Sequence, residues 1–311
     1  MSAHSHEHHS HNSHEGHNHE IPKDFSYPLL IAIALNLTFV IIEIVYGKSS
    51  NSTALIADAT HNFGDVLGLV LGFVAIKLSA RLPDAKYTFG FKSTTILATL
   101  INSIVLFLVT GAILWEAFQK LLNPAAVQGG TVIIVALIGV VINGLSAYLL
   151  SKGNGDLNIK SAFAHLASDA VISFGAALAG VIILVTGFVY VDSIVSLIIG
   201  LVIIKSTFNL LLESLNLSLQ SVPKGINITQ IRDYLEKLDG VIEVHDLHIW
   251  AIGTTDNSLT CHLVVKDNSI SIDLIKICHH LEHDFRINHP TIQVETMNQY
   301  ELCELRPANV I

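Results

Sequence analysis

Residues 53–80 read TALIADATHNFGDVLGLVLGFVAIKLSA, an apolar run long enough to cross a bilayer as a helix, and yet it carries Asp58, His61 and Asp65. These three stand at i, i+3 and i+7, on one helical face, so their side chains point the same way. A second run repeats the idea: Ala164-His165-Leu166-Ala167-Ser168-Asp169 sets His165 and Asp169 one turn apart at the head of another long apolar stretch. An isolated charge at the centre of a bilayer costs roughly 2.5–3.5 kcal/mol even on lenient insertion scales, so two such pairs need a compensating partner. One shared cation serves both. Two imidazoles and two carboxylates supply four N and O donors, the number and type that tetrahedral Zn2+ or Co2+ accepts, whereas Ca2+ and Mg2+ prefer more oxygens. In the competing reading each His bonds its own Asp and only staples helices together.

Outward from these motifs, the 311 residues are 51% hydrophobic and 14% charged, too apolar for an ordinary soluble protein. Six apolar stretches, at about 28–46, 53–80, 94–122, 130–151, 161–186 and 190–215, are each of spanning length. Residues 1–25 hold eight of the seventeen histidines among Ser, Asn, Gly and Glu, a polar metal-binding composition that builds no core. No basic patch leads into a short apolar core there, so the first span is expected to act as the insertion signal, with no cleavable one before it. With the N-terminus in the cytoplasm, Lys23, Arg81, Lys86, Lys92, Lys152 and Lys160 fall inside, and Lys48 and Lys120 outside, as the positive-inside bias requires.

After about residue 219 the period changes. A helix (228–238), two alternating strands (244–252, 259–265), a second helix (272–285) and a strand (291–295) form most of a split βαβ, ferredoxin-like unit. The expected fold is therefore a six-helix all-α transport domain (26–218) followed by a soluble α+β ferredoxin-like cytoplasmic domain (219–311). The free face of its sheet suits pairing with a second copy. Cys261, Cys278 and Cys303 are too scattered for a disulfide framework or a CxxC clasp, and no basic stripe with interleaved aromatics suggests nucleic acid.

Other polar residues within spans have quieter readings. Asp58 either orients a ligand or admits the ion, or makes a structural hydrogen bond. Asn36, Glu43, Asn102, Glu116 and Asn143 read as interhelical hydrogen bonders or pathway groups, and Gly64, Gly68 and Gly72 as a smooth face for close helix contact.

At these residues the chain resembles the cation diffusion facilitator family, especially its bacterial zinc and cobalt-zinc-cadmium efflux branch. The likeness spans about residues 26–300. It rests on Leu55-Ile56-Ala57-Asp58-Ala59-Thr60-His61 with Asp65, on Leu82-Pro83-Asp84 followed by Phe89-Gly90, on Asp156-Leu157-Asn158 leading to His165 and Asp169, and on Val244-His245-Asp246-Leu247-His248-Ile249-Trp250. The resemblance implies homodimers in the lipid bilayer of a bacterial inner membrane, both termini cytoplasmic, exporting Zn2+ as substrate in exchange for protons, with Co2+ or Cd2+ as further cargo. It places the transport site at His61, Asp65, His165 and Asp169. A regulatory Zn2+ site maps onto His245, His262, His289 and Glu295. His248, His279, His280 and His283 are candidate further ligands, of which the helical His279, His280 and His283 read equally as a solvated face. Tyr87 and Phe91 stand where many relatives carry loop histidines, so no metal is expected beside Asp84, and Tyr300 replaces the first cysteine of a CxxC found in some animal members, so none is expected at Cys303.

No enzymatic activity is expected. An intramembrane zinc metalloenzyme would carry HExxH, whose Glu is the general base, and no span contains it. A metal sensor or channel built on the same ligands is the remaining alternative.

Overall fold

The computed structural model describes residues 26–151, 157–266 and 272–302. The histidine-rich segment 1–25 and Cys303 lie outside them. Each of the six apolar stretches is a helix: α1 (Ser26–Ser50), α2 (Thr53–Ser79), α3 (Thr94–Leu122), α4 (Gly129–Ser151), α5 (Leu157–Thr186) and α6 (Tyr190–Ser218). All six are long and apolar enough to cross a membrane. Large apolar side chains such as Leu108, Ile134 and Val185 point outward, the surface a lipid-facing bundle presents. Helices α1 and α5 each run about a turn beyond the apolar stretch, because polar residues such as Gly47 to Ser50 continue the helix past it.

Helix α2 carries the first motif, and its start is held hard. Ser52 caps it by accepting from the Leu55 N–H at 3.2 Å. Asp192, in the first turn of α6, accepts from the Thr53 N–H (2.7 Å), the Thr53 hydroxyl (2.8 Å) and the Ser52 hydroxyl. A carboxylate at a helix N-terminus satisfies its orphan donors and complements its dipole. Gly64 on α2 lies against Leu106 of α3, and Gly68 against Asn102, whereas Gly72 meets nothing. Glu116 makes no interhelical bond among the described residues; it is exposed and pairs one turn along its own helix with Lys120 (3.2 Å).

Helix α4 lies along α5. A Cβ on Gly129 would sit 2.6 Å from the Gly180 carbonyl, and one on Gly180 would sit 2.9 Å from the Gly129 carbonyl, so the two backbones touch only because both residues are glycine. Ala54, Leu55, Val132, Val135, Ala136, Ala176 and Ala177 fill the space between α2, α4 and α5. Small residues thus let the helices that bear the two motifs approach.

The C-terminal part consists of α7 (Ile228–Glu236), β1 (Val241–Ala251), β2 (Asn257–Val265), α8 (Leu274–Phe285), β3 (His289–Thr296) and a short unforeseen helix, α9 (Met297–Leu302). β1 pairs antiparallel with β2, and β2 parallel with β3 in the order β1-β2-β3. This is the ferredoxin-like arrangement without its first strand, so β3 closes directly onto β2 after the α8 crossover. Val244, Leu247, Leu259, Cys261 and Leu263 form one face of the sheet and bury it against Ile231, Leu235, Ile277 and Leu281 of the helices. Burial pushes the Cys261 thiol up to about 12, so it is an inert core residue.

The turn between α2 and α3 is tied to the β1–β2 hairpin. Lys92 Nζ reaches Asp256 Oδ1 (2.5 Å), the Ser93 hydroxyl donates to the Ile252 carbonyl (2.8 Å), and the Thr254 N–H donates to Thr95 Oγ1 (3.0 Å). The soluble domain therefore abuts the end of the bundle where α2 finishes. Replacing Gly180 with Val should force α4 and α5 apart at a cost of about 1–3 kcal/mol, visible as a lower Tm of the detergent-purified protein; an unchanged Tm would contradict the close approach.

Candidate metal centre

Four side chains from two helices converge in the bundle. His61 Nε2 lies 2.9 Å from Asp169 Oδ1, and His165 Nε2 lies 3.2 Å from Asp65 Oδ2 and 3.6 Å from Asp169 Oδ2. The two shortest contacts run crosswise, each α2 residue meeting an α5 residue, while the within-helix pair His165–Asp169 is the longest of the three. One ligand atom from each of the four lies within 4.8 Å of the other three. The two imidazole rings stand edge to face, centroids 5.8 Å apart. Four N and O donors aimed at one point suit a borderline cation such as Zn2+ and offer too few oxygens for Ca2+.

Access to this cluster is one-sided. The side chains of His165 and Asp65 are 48% and 34% exposed, while those of His61 and Asp169 are 17% and 3% exposed. Along α2, Asp65 is nearer than His61 to the end that meets the soluble domain, and along α5 His165 is nearer to it than Asp169. The exposed edge of the cluster is therefore the one nearer that domain. Beyond the cluster, one turn further from that edge, Asp58 is fully buried and accepts from the Ser173 hydroxyl of α5 at 2.7 Å, a hydrogen bond between the two ligand-bearing helices.

A second group lies on the sheet of the soluble domain. His262 Nδ1 is 2.8 Å from Glu295 Oε1, His245 Nε2 is 3.6 Å from Glu295 Oε2, and the two imidazole centroids are 4.9 Å apart. Since Cys261 and Leu263 face α7 and α8, strand alternation puts His262 on the opposite face, where Tyr300 of α9 lies beside His245 with ring centroids 5.1 Å apart. His245 is buried, yet among the described residues neither ring nitrogen has a hydrogen-bond partner, and Glu295 Oε2 has none either. Buried donors and acceptors rarely go unpaired, and a metal ion among these three would satisfy them. His289 is not brought to this group. It pairs in register with Ser258, four residues along β2 from His262, and its ring stands edge-on to Phe89.

Asp246 does approach, with Oδ2 3.8 Å from His262 Nε2 and Oδ1 2.9 Å from His248. Sequence reasoning missed it because a β-bulge between His245 and His248 turns it, at φ 52°, out of the alternation. His279 and His283 stack at 4.2 Å on an exposed face of α8, and His280 pairs with Asp284 (2.8 Å), so these three stay outside the cluster. Beside Asp84, Tyr87 and Phe91 stack at 4.5 Å, and the Asp84 carboxylate accepts the Lys86 and Tyr87 N–H groups as a turn cap.

Six spans around a convergent His/Asp cluster, with a small α+β domain behind them, define an integral membrane protein of the transporter class. Residues 29–217 match the cation efflux transmembrane domain and residues 223–300 the cytoplasmic domain of cation efflux proteins. The chain belongs to this family, the cation diffusion facilitators, whose members are transporters and not enzymes. It is 37% identical to the metal cation efflux system protein CzcD of Cupriavidus metallidurans, over 89% of each chain. Identity is 35% to a cadmium, cobalt and zinc/H(+)-K(+) antiporter of Bacillus subtilis, over 86% of this chain and 88% of that one. It is 34% to the zinc transporter ZitB of Escherichia coli, over 97% and 94%.

Removing one carboxylate from the membrane cluster tests its geometry. In protein lacking residues 1–20 and carrying His262→Ala, Asp65→Asn should weaken Zn2+ binding at least about 100-fold by titration calorimetry, the upper end of what losing even an outer partner costs. Undiminished affinity would exclude Asp65 as a ligand.

Proposed function

We propose that this protein exports Zn2+ from the cytoplasm in exchange for protons, with His61, Asp65, His165 and Asp169 as the transport site. The crosswise contact of two HisxxxAsp motifs carried by different spans supports this reading above all. Two carboxylates neutralise a divalent cation in the low-dielectric bundle, and two imidazoles complete its coordination. The ligands bind metal only when deprotonated, so protons and Zn2+ compete for the same nitrogens. Imidazole titrates near physiological pH, and a site that opens into a proton-rich medium is reprotonated there and releases its ion. The relatives' names support zinc, cobalt and cadmium as cargo, and the name of the Bacillus subtilis relative gives protons together with potassium as counter-ions.

On this reading both termini and the C-terminal domain face the cytoplasm of a bacterium, within its inner membrane. The exposure of the cluster at the edge nearer that domain then corresponds to the inward-facing state, ready to load. Residues 26–218 transport and residues 219–311 dimerise and regulate, with Zn2+ at His245, His262 and Glu295 and with Asp246 replacing His289 as the nearest further donor. A group of ligands on the face of the sheet away from α7 and α8 lies where a second copy would dock, so metal there favours a closer pair of domains. Residues 1–25 capture or buffer metal.

A sensor or channel using the same ligands would bind Zn2+ without coupled turnover. Everted vesicles energised by a proton gradient should accumulate zinc, and should lose that uptake when the gradient is collapsed or when Asp169 is replaced by Asn. Accumulation that survives collapse of the gradient would contradict the exchange.

A further inference from the structure

One fully buried group in the bundle has no part in the transport site. Glu43, on α1, has no solvent exposure, and its carboxyl group meets that of Asp58 on α2, which is equally buried. Each has one oxygen provided for. Asn62 Nδ2 donates to Glu43 Oε2 at 3.0 Å, and the Ser173 hydroxyl donates to Asp58 Oδ2 at 2.7 Å. The other two, Glu43 Oε1 and Asp58 Oδ1, have no hydrogen-bond donor among the described residues.

Two carboxylates in contact cannot both stay ionised in a buried site, and bare carboxylate oxygens there are costly to leave unpaired. Among the described residues no lysine or arginine pairs with either carboxylate, and the basic group that acts on Asp58 is His61 of the transport site. Among the charged and titratable residues around Glu43, α2 contributes Asp58, with His61 of the transport site a turn further on. α5 contributes only Asp169 of that same site, and α4 has no Asp, Glu, His, Lys or Arg. A single proton held between the two carboxyl groups supplies the missing donor.

We infer that Glu43 forms a proton-binding site of its own, one layer beyond the cation site on the side away from the soluble domain, holding a proton that it donates to Asp58. The position gives it a role. In the described state the cation cluster is exposed at the edge nearer the soluble domain and sealed on the far side by this layer, which the Ser173 to Asp58 hydrogen bond closes between α5 and α2. A motion that parts α2 from α5 to open the far side must withdraw Ser173 from Asp58, and so exposes the acid to the outer medium. The proton passes from the Glu43 O–H through Asp58 to an imidazole of the cluster, and a hydronium ion of the outer medium reprotonates the Glu43 carboxylate and leaves as water. Glu43 is then the relay through which protons reach the imidazoles from the releasing side.

This inference rests on the zinc–proton exchange proposed above, but its test separates the two. Glutamine at position 43 reproduces a neutral acid's hydrogen bonds, donating to Asp58 and accepting from Asn62, yet holds no exchangeable acid proton. In proteoliposomes, Glu43→Gln should therefore bind Zn2+ with unchanged affinity by calorimetry while losing most zinc-driven proton flux. Unchanged flux in the folded variant would overturn the relay and leave the exchange standing, whereas wild-type zinc transport without proton movement would overturn the exchange. If Glu43→Gln does not fold, infrared spectroscopy of the unaltered protein at neutral pH decides. A protonated carboxyl C=O band that shifts in D2O is expected, and its absence would overturn the proposal.

Discussion

Hydrocarbon does not tolerate an unpaired charge, and the membrane half of this protein is arranged around that intolerance. Two carboxylates and two imidazoles are acceptable in the bundle because they meet one another across two helices and suit a shared ion. Everything nearby serves the encounter. Asp192 pins the start of α2, Gly129 and Gly180 let α4 and α5 touch, and alanines fill the space between them, so that α5 presents Asp169 to His61 at hydrogen-bond distance.

The same constraint orders the polar residues in layers along α2. Asp65 and His165 form the accessible edge, His61 and Asp169 the buried one, and Asp58 with Glu43 and Ser173 a sealed layer behind them. A gradient from exposed to dry along one line of ionisable groups is what a carrier caught in one of two states presents. The hairpin contacts through Lys92, Ser93 and Thr95 join the exposed end to the soluble domain. A short mechanical route therefore joins the sheet to the end of α2.

Much of this was legible in the residues because it is periodic. Spans announce themselves by length, and the i, i+3, i+4 and i+7 positions of Asp58, His61, Asp65, His165 and Asp169 fix which face of each helix is polar. Periodicity names a face but not its neighbour. Nothing in α1 alone foretells that Glu43 lies against Asp58, nor does anything in α6 foretell that Asp192 caps α2. In the soluble domain, strand alternation puts His262 on the face away from α7 and α8, but a single bulge, at Asp246, shifts the count and hides a nearby carboxylate. His289 has the right chemistry for a ligand, and only the strand register reveals that it stands four residues away.

The central claim is that one ion is held by nitrogen and oxygen from α2 and α5 together. Zinc X-ray absorption on protein lacking residues 1–20, with His262→Ala and Glu295→Ala removing the soluble cluster, reads the coordination sphere directly. The account predicts a four-coordinate site with two imidazoles and light-atom distances of about 2.0–2.2 Å. A six-coordinate all-oxygen sphere, or a single imidazole, would contradict it.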